Sequence, residues 1–188
     1  MSTIYLVSHG QSEANKNRIW GGDMPLSGLG TEQALTVPSK IRRKPDKVVS
    51  SMLQRANMTA RLAYPDAEVE KNPAFDEIWF GDLDQHPMTQ ETMDAYHQDP
   101  EAFFAEHHAD DLTQRAANAA AEIEKYAKEY ELVVIFTSDT LMRNIISYIK
   151  GERPNDNRDY YIRNCELLKL SYNGKLEIQD CSAMVKVR

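Results

Sequence analysis

The chain has 188 residues, 41% of them hydrophobic and 27% charged, with 22 Lys and Arg against 29 Asp and Glu for a formal charge of −7. That length and composition predict one soluble globular domain with a core large enough to need no disulfide or metal, and they exclude a disordered chain. No apolar run approaches the roughly 20 residues that cross a bilayer, and the acidic balance disfavours a nucleic-acid partner.

The first residues, Met1 to Ser8, have no basic leader and only a short apolar stretch, so no signal peptide is read there and the cytoplasm is the expected compartment. Two cysteines, Cys165 inside a strand-like run and Cys181 near the C-terminus, are read as free thiols, with no metal expected at them.

In chain order, Ile4 to Ser8 reads as a buried strand that breaks at His9-Gly10. Ser27 is placed to cap a helix running to about Arg42, with Ala34, Val37 and Ile41 on one face, Pro38 placed to kink it and Arg42-Arg43-Lys44 at its basic end. Val48 to Ser50 predicts a second strand, followed by a helix from about Leu53 to Leu62 that stops before Tyr64-Pro65. Residues Asn72 to His108 are irregular, with aromatics among acids and three prolines, and read as a loop with short helices capping the sheet. Tyr96, Phe103 and Phe104 in that stretch are assigned to core.

Further on, Asp111 caps an alanine-rich helix through about Glu129, and the unbroken apolar run Leu132 to Thr137 suits a central parallel strand. A helix from about Leu141 to Lys150 stops at Gly151. The segments Glu166 to Tyr172 and Lys175 to Ile178 flank Asn173-Gly174, the signature of a hairpin with a type I′ turn. This alternation predicts an α/β fold: a three-layer α/β/α sandwich around a mostly parallel sheet, in one domain covering residues 1 to 188 with a capping insertion at about 72 to 110. In such sheets ligands bind beyond the carboxyl ends of the strands, which directs attention to Ser8-His9-Gly10, to Ser50-Ser51 leading to Arg55, and to Ser138-Asp139-Thr140.

A lone histidine after a strand is weak evidence, but its neighbours add to it. The stretches Ile4 to Asn15 (IYLVSHGQSEAN), Pro25 to Ala34 (PLSGLGTEQA), Ser50 to Ala60 (SSMLQRANMTA) and Glu77 to Leu83 (EIWFGDL), in this order, resemble the first branch of the histidine phosphatase superfamily, the phosphoglycerate mutase-like proteins. The resemblance spans nearly the whole chain. It implies the phosphoglycerate mutase-like fold, a phosphohistidine formed on His9, Glu77 as the proton donor to the leaving oxygen, and a phosphate pocket that includes Arg55 and Asn15. It implies no cofactor and no metal.

Two positions depart from the family's pattern. Where the family has Arg-His-Gly this chain has Ser8 before His9, and where it has Ser-His-Gly-Gly after the central strand this chain reads Thr137 to Arg143 (TSDTLMR), with Ser138 in place of the histidine; Ser8 and Ser138 stay candidate phosphate-binding residues, since their hydroxyls can still donate, without charge and with less reach. Loss of one transition-state donor typically costs roughly 10² to 10³ in rate, and coupled losses need not add. Side chains that would have to compensate are Arg18, Asn15, Ser12, His86 and His107, while Arg143 is compatible with either a structural or a ligand role.

The expectation is therefore a phosphatase-like protein with lost or strongly reduced hydrolysis that holds a phosphorylated or other anionic small molecule, the alternative being an active phosphomonoesterase with substitute donors. A different acid-base chemistry of His9 and Glu77 ranks last for want of a motif. The C-terminal hairpin leaves homo-oligomer formation open.

Overall fold

The computed structural model describes residues 1–186. A central sheet has the order β3-β2-β4-β1-β6-β7, built from β1 (Ser2–Ser8), β2 (Lys47–Ser50), β3 (Val69–Lys71), β4 (Leu132–Thr137), β6 (Leu167–Tyr172) and β7 (Leu176–Asp180). The pairs β3-β2, β2-β4 and β4-β1 are parallel, and β6 and β7 continue the sheet antiparallel. A second, two-stranded sheet joins β5 (Tyr160–Ile162) to β8 (Met184–Lys186).

Strand geometry sends successive side chains to opposite faces, and the core divides accordingly. On one face Ile4, Leu6, Val49, Val133 and Ile135 join a cluster with Ile123 of α6 (Leu112–Glu129) and Leu141, Met142 and Ile145 of α7 (Asp139–Lys150). On the other, Val7, Val48, Val134 and Phe136 pack against Val37 of α2 (Gly28–Lys40) and Ala56 and Ala60 of α3 (Gln54–Ala63). Every residue of β4 is buried because helices cover it on both sides. The result is the three-layer α/β/α arrangement.

Short α1 (Glu13–Lys16) follows β1 and is closed by a reciprocal cap between Ser12 and Asn15. Between β3 and α6 the chain forms short 3-10 turns and the helices α4 (Gln90–Gln98) and α5 (Pro100–Glu106). Tyr96, Phe103 and Phe104 are buried there and stack around Trp20 and Phe80 with ring centroids 5.3 to 6.0 Å apart, which makes them core.

Several boundaries move from the sequence expectation. Helix α2 ends at Lys40 with Pro38 in its last turn, so the basic cluster lies beyond the helix, and Arg43 pairs with Glu131 at 2.9 Å instead. Helix α7 starts at Asp139 because Ser138 is already its extended N-cap residue. Cys165 lies outside the strand, in a turn with φ +57. The hairpin is not type I′: Tyr172 pairs with Leu176 across three residues, and of Asn173 and Gly174 only the glycine has a positive φ, +86.

One close approach fixes where the turn that carries His9 can sit. A Cβ on Gly10 would lie 2.4 Å from the Gly30 carbonyl oxygen, and a Cβ on Gly30 would lie 2.0 Å from the Gln11 carbonyl oxygen. The start of α2 therefore rests backbone to backbone on the turn after β1, where no flexible side chain can give way. Gly30→Ala is expected to destabilise the protein by about 1 to 3 kcal/mol, the cost of overpacking a site that must shift. Urea unfolding of the variant checks this, and an unchanged midpoint would show that the approach is not binding on the fold.

Candidate active site

A cavity of about 880 Å³ opens at the carboxyl edge of the sheet and is lined by His9, Ser8, Asn15, Arg55 and Glu77 among others. His9, Arg55 and Glu77 arrive from different elements. His9 leaves the end of β1, where its amide donates to the Thr137 carbonyl at 3.0 Å. Arg55 stands in the first turn of α3, and Glu77 lies in the loop before the aromatic cluster.

His9 is 5% exposed and both ring nitrogens are engaged. Nδ1 lies 2.7 Å from the Gly10 carbonyl oxygen, an acceptor only, so Nδ1 carries the proton. Nε2 is then the lone-pair nitrogen, and it accepts from Arg55 Nε at 3.0 Å. Burial, helped by the adjacent guanidinium, lowers the imidazole pKa to about 3, only partly opposed by the Gly10 carbonyl. The ring is therefore neutral at neutral pH, with the Nε2 electron pair taken up by Arg55.

Arg55 is 4% exposed and also donates to the Gly22 carbonyl. Burial lowers its pKa, with Glu77, Asp23 and Asp84 recovering part of the loss, and it remains a cation. Glu77 accepts from the Ile78 amide at 2.9 Å and from the Leu141 amide at 3.2 Å, so it serves as a cap for the first turn of α7 from outside the helix. Burial pushes its carboxyl above the ordinary carboxylate range, against the pull of Arg55.

Asn15 is exposed at the rim; its Oδ1 accepts from the Ser12 amide at 3.1 Å and from Asn164 Nδ2 at 3.4 Å. Ser138 is brought to the same end of the sheet but does not line the cavity, although its neighbours Asp139 and Thr140 do. Its side chain is too short to leave the N-cap position, and its Oγ is buried without a hydrogen-bond partner.

Arg143 reaches the cavity wall but is committed: Nε to Asp139 at 3.0 Å, one terminal nitrogen to the Tyr96 hydroxyl at 3.0 Å and the other to Asn157 at 3.4 Å. Burial works against its charge, but Asp139 and Tyr96 outweigh that and raise its pKa. Of the side chains weighed as substitutes, Asn15 and Ser12 line the cavity. Arg18 and His86 are exposed and outside its lining, and His107 packs its ring on Phe103 at 4.8 Å.

Residues that sequence reading did not single out complete the wall. Asn164 donates to the His9 carbonyl at 2.9 Å, and Arg163, from the segment before β6, and Lys40, from the end of α2, stand at the same side; behind the wall, buried Thr59 accepts from the Gly10 amide at 3.0 Å. Among the described residues no group of three or more His, Cys, Asp or Glu is arranged to hold a metal ion, and no helix is long and apolar enough to cross a membrane.

Comparison with known proteins agrees with this arrangement. The histidine phosphatase superfamily (branch 1) matches residues 4–179. An adenosylcobalamin/alpha-ribazole phosphatase of Salmonella typhimurium is 35% identical over 107 residues, 54% of this chain and 51% of that protein. A 2,3-bisphosphoglycerate-dependent phosphoglycerate mutase of Bartonella bacilliformis is 37% identical over 91 residues, 43% of this chain and 44% of that protein. The match thus spans about half the length of these curated relatives.

Among solved structures, a mycobacterial glucosyl-3-phosphoglycerate phosphatase in complex with VO3 superposes with a TM-score of 0.80 at 20% identity, covering 97% of this chain and 100% of the other. Phosphoglycerate mutase from Bacillus anthracis superposes with a TM-score of 0.82 at 19% identity, covering 96% and 92%. With its strand order, its histidine at the end of β1 and this match over almost its full length, the chain belongs to the histidine phosphatase superfamily, branch 1.

Proposed function

We propose that this protein binds a phosphorylated or other anionic small molecule between His9 and Arg55 and hydrolyses it slowly or not at all. One observation carries the reading: among the described residues Arg55 is the single buried guanidinium against His9, because position 8 holds a serine, Ser138 stops short of the cavity, and Arg143 is committed to Asp139 and Tyr96. A transferring phosphoryl group spreads charge over three oxygens and depends on fixed cations around it.

The groups needed for chemistry are nonetheless retained, which supports slow turnover as the second reading. Nε2 of neutral His9 would attack phosphorus, forming an N–P bond as the ester P–O bond breaks. Glu77, whose raised pKa favours a held proton, would deliver it to the leaving oxygen. Water would then attack the phosphohistidine, the N–P bond would break, and the Glu77 carboxylate would take the water's proton. Arg55 has to release Nε2 for this and turn its guanidinium to the phosphoryl oxygens, while Asn15 would donate from the rim. The relatives named as phosphatases and mutases fit this chemistry by name, and the apolar wall from Trp20, Met88 and Met93 would take the organic part of the ligand.

Assay against a panel of phosphomonoesters, with vanadate titration by calorimetry, tests the proposal. Binding of vanadate with turnover well below 1 per second is expected, and the double substitution Ser8→Arg with Ser138→His is expected to raise turnover by at least about 10². Turnover of order 1 per second in the unmodified protein, abolished in His9→Ala, would establish the active enzyme instead.

The protonation state of His9 carries its own test. An unfolded chain protonates this histidine near its ordinary value of 6.5 and the folded chain only near 3, so its contribution to stability is intact above pH 6.5 and falls as the pH drops toward 3. Glu77, with its pKa raised, acts in the opposite sense, its burial costing stability as the pH rises past the ordinary carboxylate value. Relative to His9→Gln, the unmodified protein is expected to lose stability by roughly 1.4 kcal/mol per pH unit between 6.5 and 4. Parallel urea-midpoint profiles for the two proteins would contradict a buried neutral imidazole.

A further inference from the structure

We infer that Arg163 is a second anion-contacting cation of this cavity, entering from the segment before β6 and taking the place of the charge that position 8 lacks; the inference rests on reading the cavity as an anion site. The backbone that carries Arg163 is tied to the strand end that carries His9. Cys165 N donates to the Ser8 carbonyl at 2.9 Å and more weakly to that of His9 at 3.3 Å, and Asn164 Nδ2 donates to the His9 carbonyl at 2.9 Å. The antiparallel pairing of β1 with β6 thus continues past the strands themselves, and Arg163 follows beside the nucleophile's turn.

A tight turn then sets the direction. Glu166 N donates to the Arg163 carbonyl at 3.1 Å, and Cys165 takes a φ of +57, a left-handed conformation that a side chain other than glycine adopts only under tertiary constraint. The constraint is the burial of the Cys165 side chain, 1% exposed, in the core face that Val7 shares. Arg163, first in this turn, is left at the cavity wall with an exposed side chain.

What separates Arg163 from the other cations of the wall is that it is uncommitted. Lys40 Nζ is held by the Cys165 carbonyl at 2.9 Å and by Glu166 at 2.8 Å, and Arg143 is held by Asp139. Among the described residues the Arg163 guanidinium has no ion pair and no hydrogen bond. Its main chain is anchored and its side chain is free, the arrangement of a group whose partner is a ligand. A flexible, exposed guanidinium gives up more conformational entropy and is screened more than a buried one, so it substitutes for a buried arginine only in part.

Calorimetric titration with orthovanadate distinguishes the outcomes. Arg163→Gln is expected to weaken vanadate binding about five- to tenfold and to flatten its salt dependence, with unchanged thermal stability; Arg163→Lys, which keeps the charge without the fork, is expected to recover part of the loss. Lys175→Gln, in the loop at the opposite end of β6, is the charge control and is expected to change affinity by less than about 1.5-fold. Equal weakening in Arg163→Gln and Lys175→Gln would overturn the contact in favour of a general charge effect. If Arg55→Met and His9→Ala lose vanadate binding while Arg163→Gln retains it, the role of Arg163 fails and the anion site stands. If Arg55→Met and His9→Ala bind as the unmodified protein does, or the unmodified protein binds none, the anion site fails and the role of Arg163 with it.

Discussion

Two basic side chains, one neutral and one charged, meet at 3.0 Å at the bottom of the cavity: Arg55 donates to the lone pair of His9, whose other nitrogen is proton-bound to the Gly10 carbonyl. That contact needs a neutral imidazole, since a protonated one would face the guanidinium with a proton on each side. Burial supplies the condition by making a charge on His9 costly. The tautomer and the direction of the Nε2 electron pair follow from these two hydrogen bonds. The elements around the contact, β1, α3 and the start of α2, serve to hold its two ends in place.

Charge distribution across the wall is correspondingly uneven. Buried cations on the α7 side are balanced internally, Arg143 by Asp139, which also accepts from the Ile162 amide at 2.7 Å and so ties α7 to β5. The Tyr96 hydroxyl bonded to Arg143 ties the aromatic cluster over the cavity to the same helix. A guanidinium that in other circumstances would meet a ligand here holds three parts of the wall together. In the proposed reading the remaining attraction for an anion comes from the His9 side, through Arg55 and the turn before β6.

Much of this was legible in the sequence because its cause is local. The run Leu132 to Thr137, apolar at every position, announces a strand covered on both faces, and Asp111, Ser27 and Gly151 mark helix ends by their capping chemistry. His9, Arg55 and Glu77 stand out through motifs at known spacing, and all three line one cavity. What sequence reading missed depends on contacts distant along the chain. The short strands β3, β5 and β8 have no periodicity of their own, and Cys165 is turned out of the strand pattern by tertiary bonds to Ser8 and His9. The Asn173-Gly174 pair suggested the wrong turn because the pairing of Tyr172 with Leu176 sets a three-residue loop, a matter of register and not of dipeptide preference. Arg163 gave no signal, since an exposed arginine before a strand looks like any other until its uncommitted side chain is seen at the cavity.

The backbone contact between Gly30 and the turn after β1 limits how such a protein can diversify. Neither partner tolerates added bulk, so the floor under the imidazole is closed to gradual remodelling by drift. The cavity lining also includes Met88, Met93 and Tyr161, none of which takes part in that contact. A lineage built on this frame would keep its centre rigid and vary its guests from the edges inward.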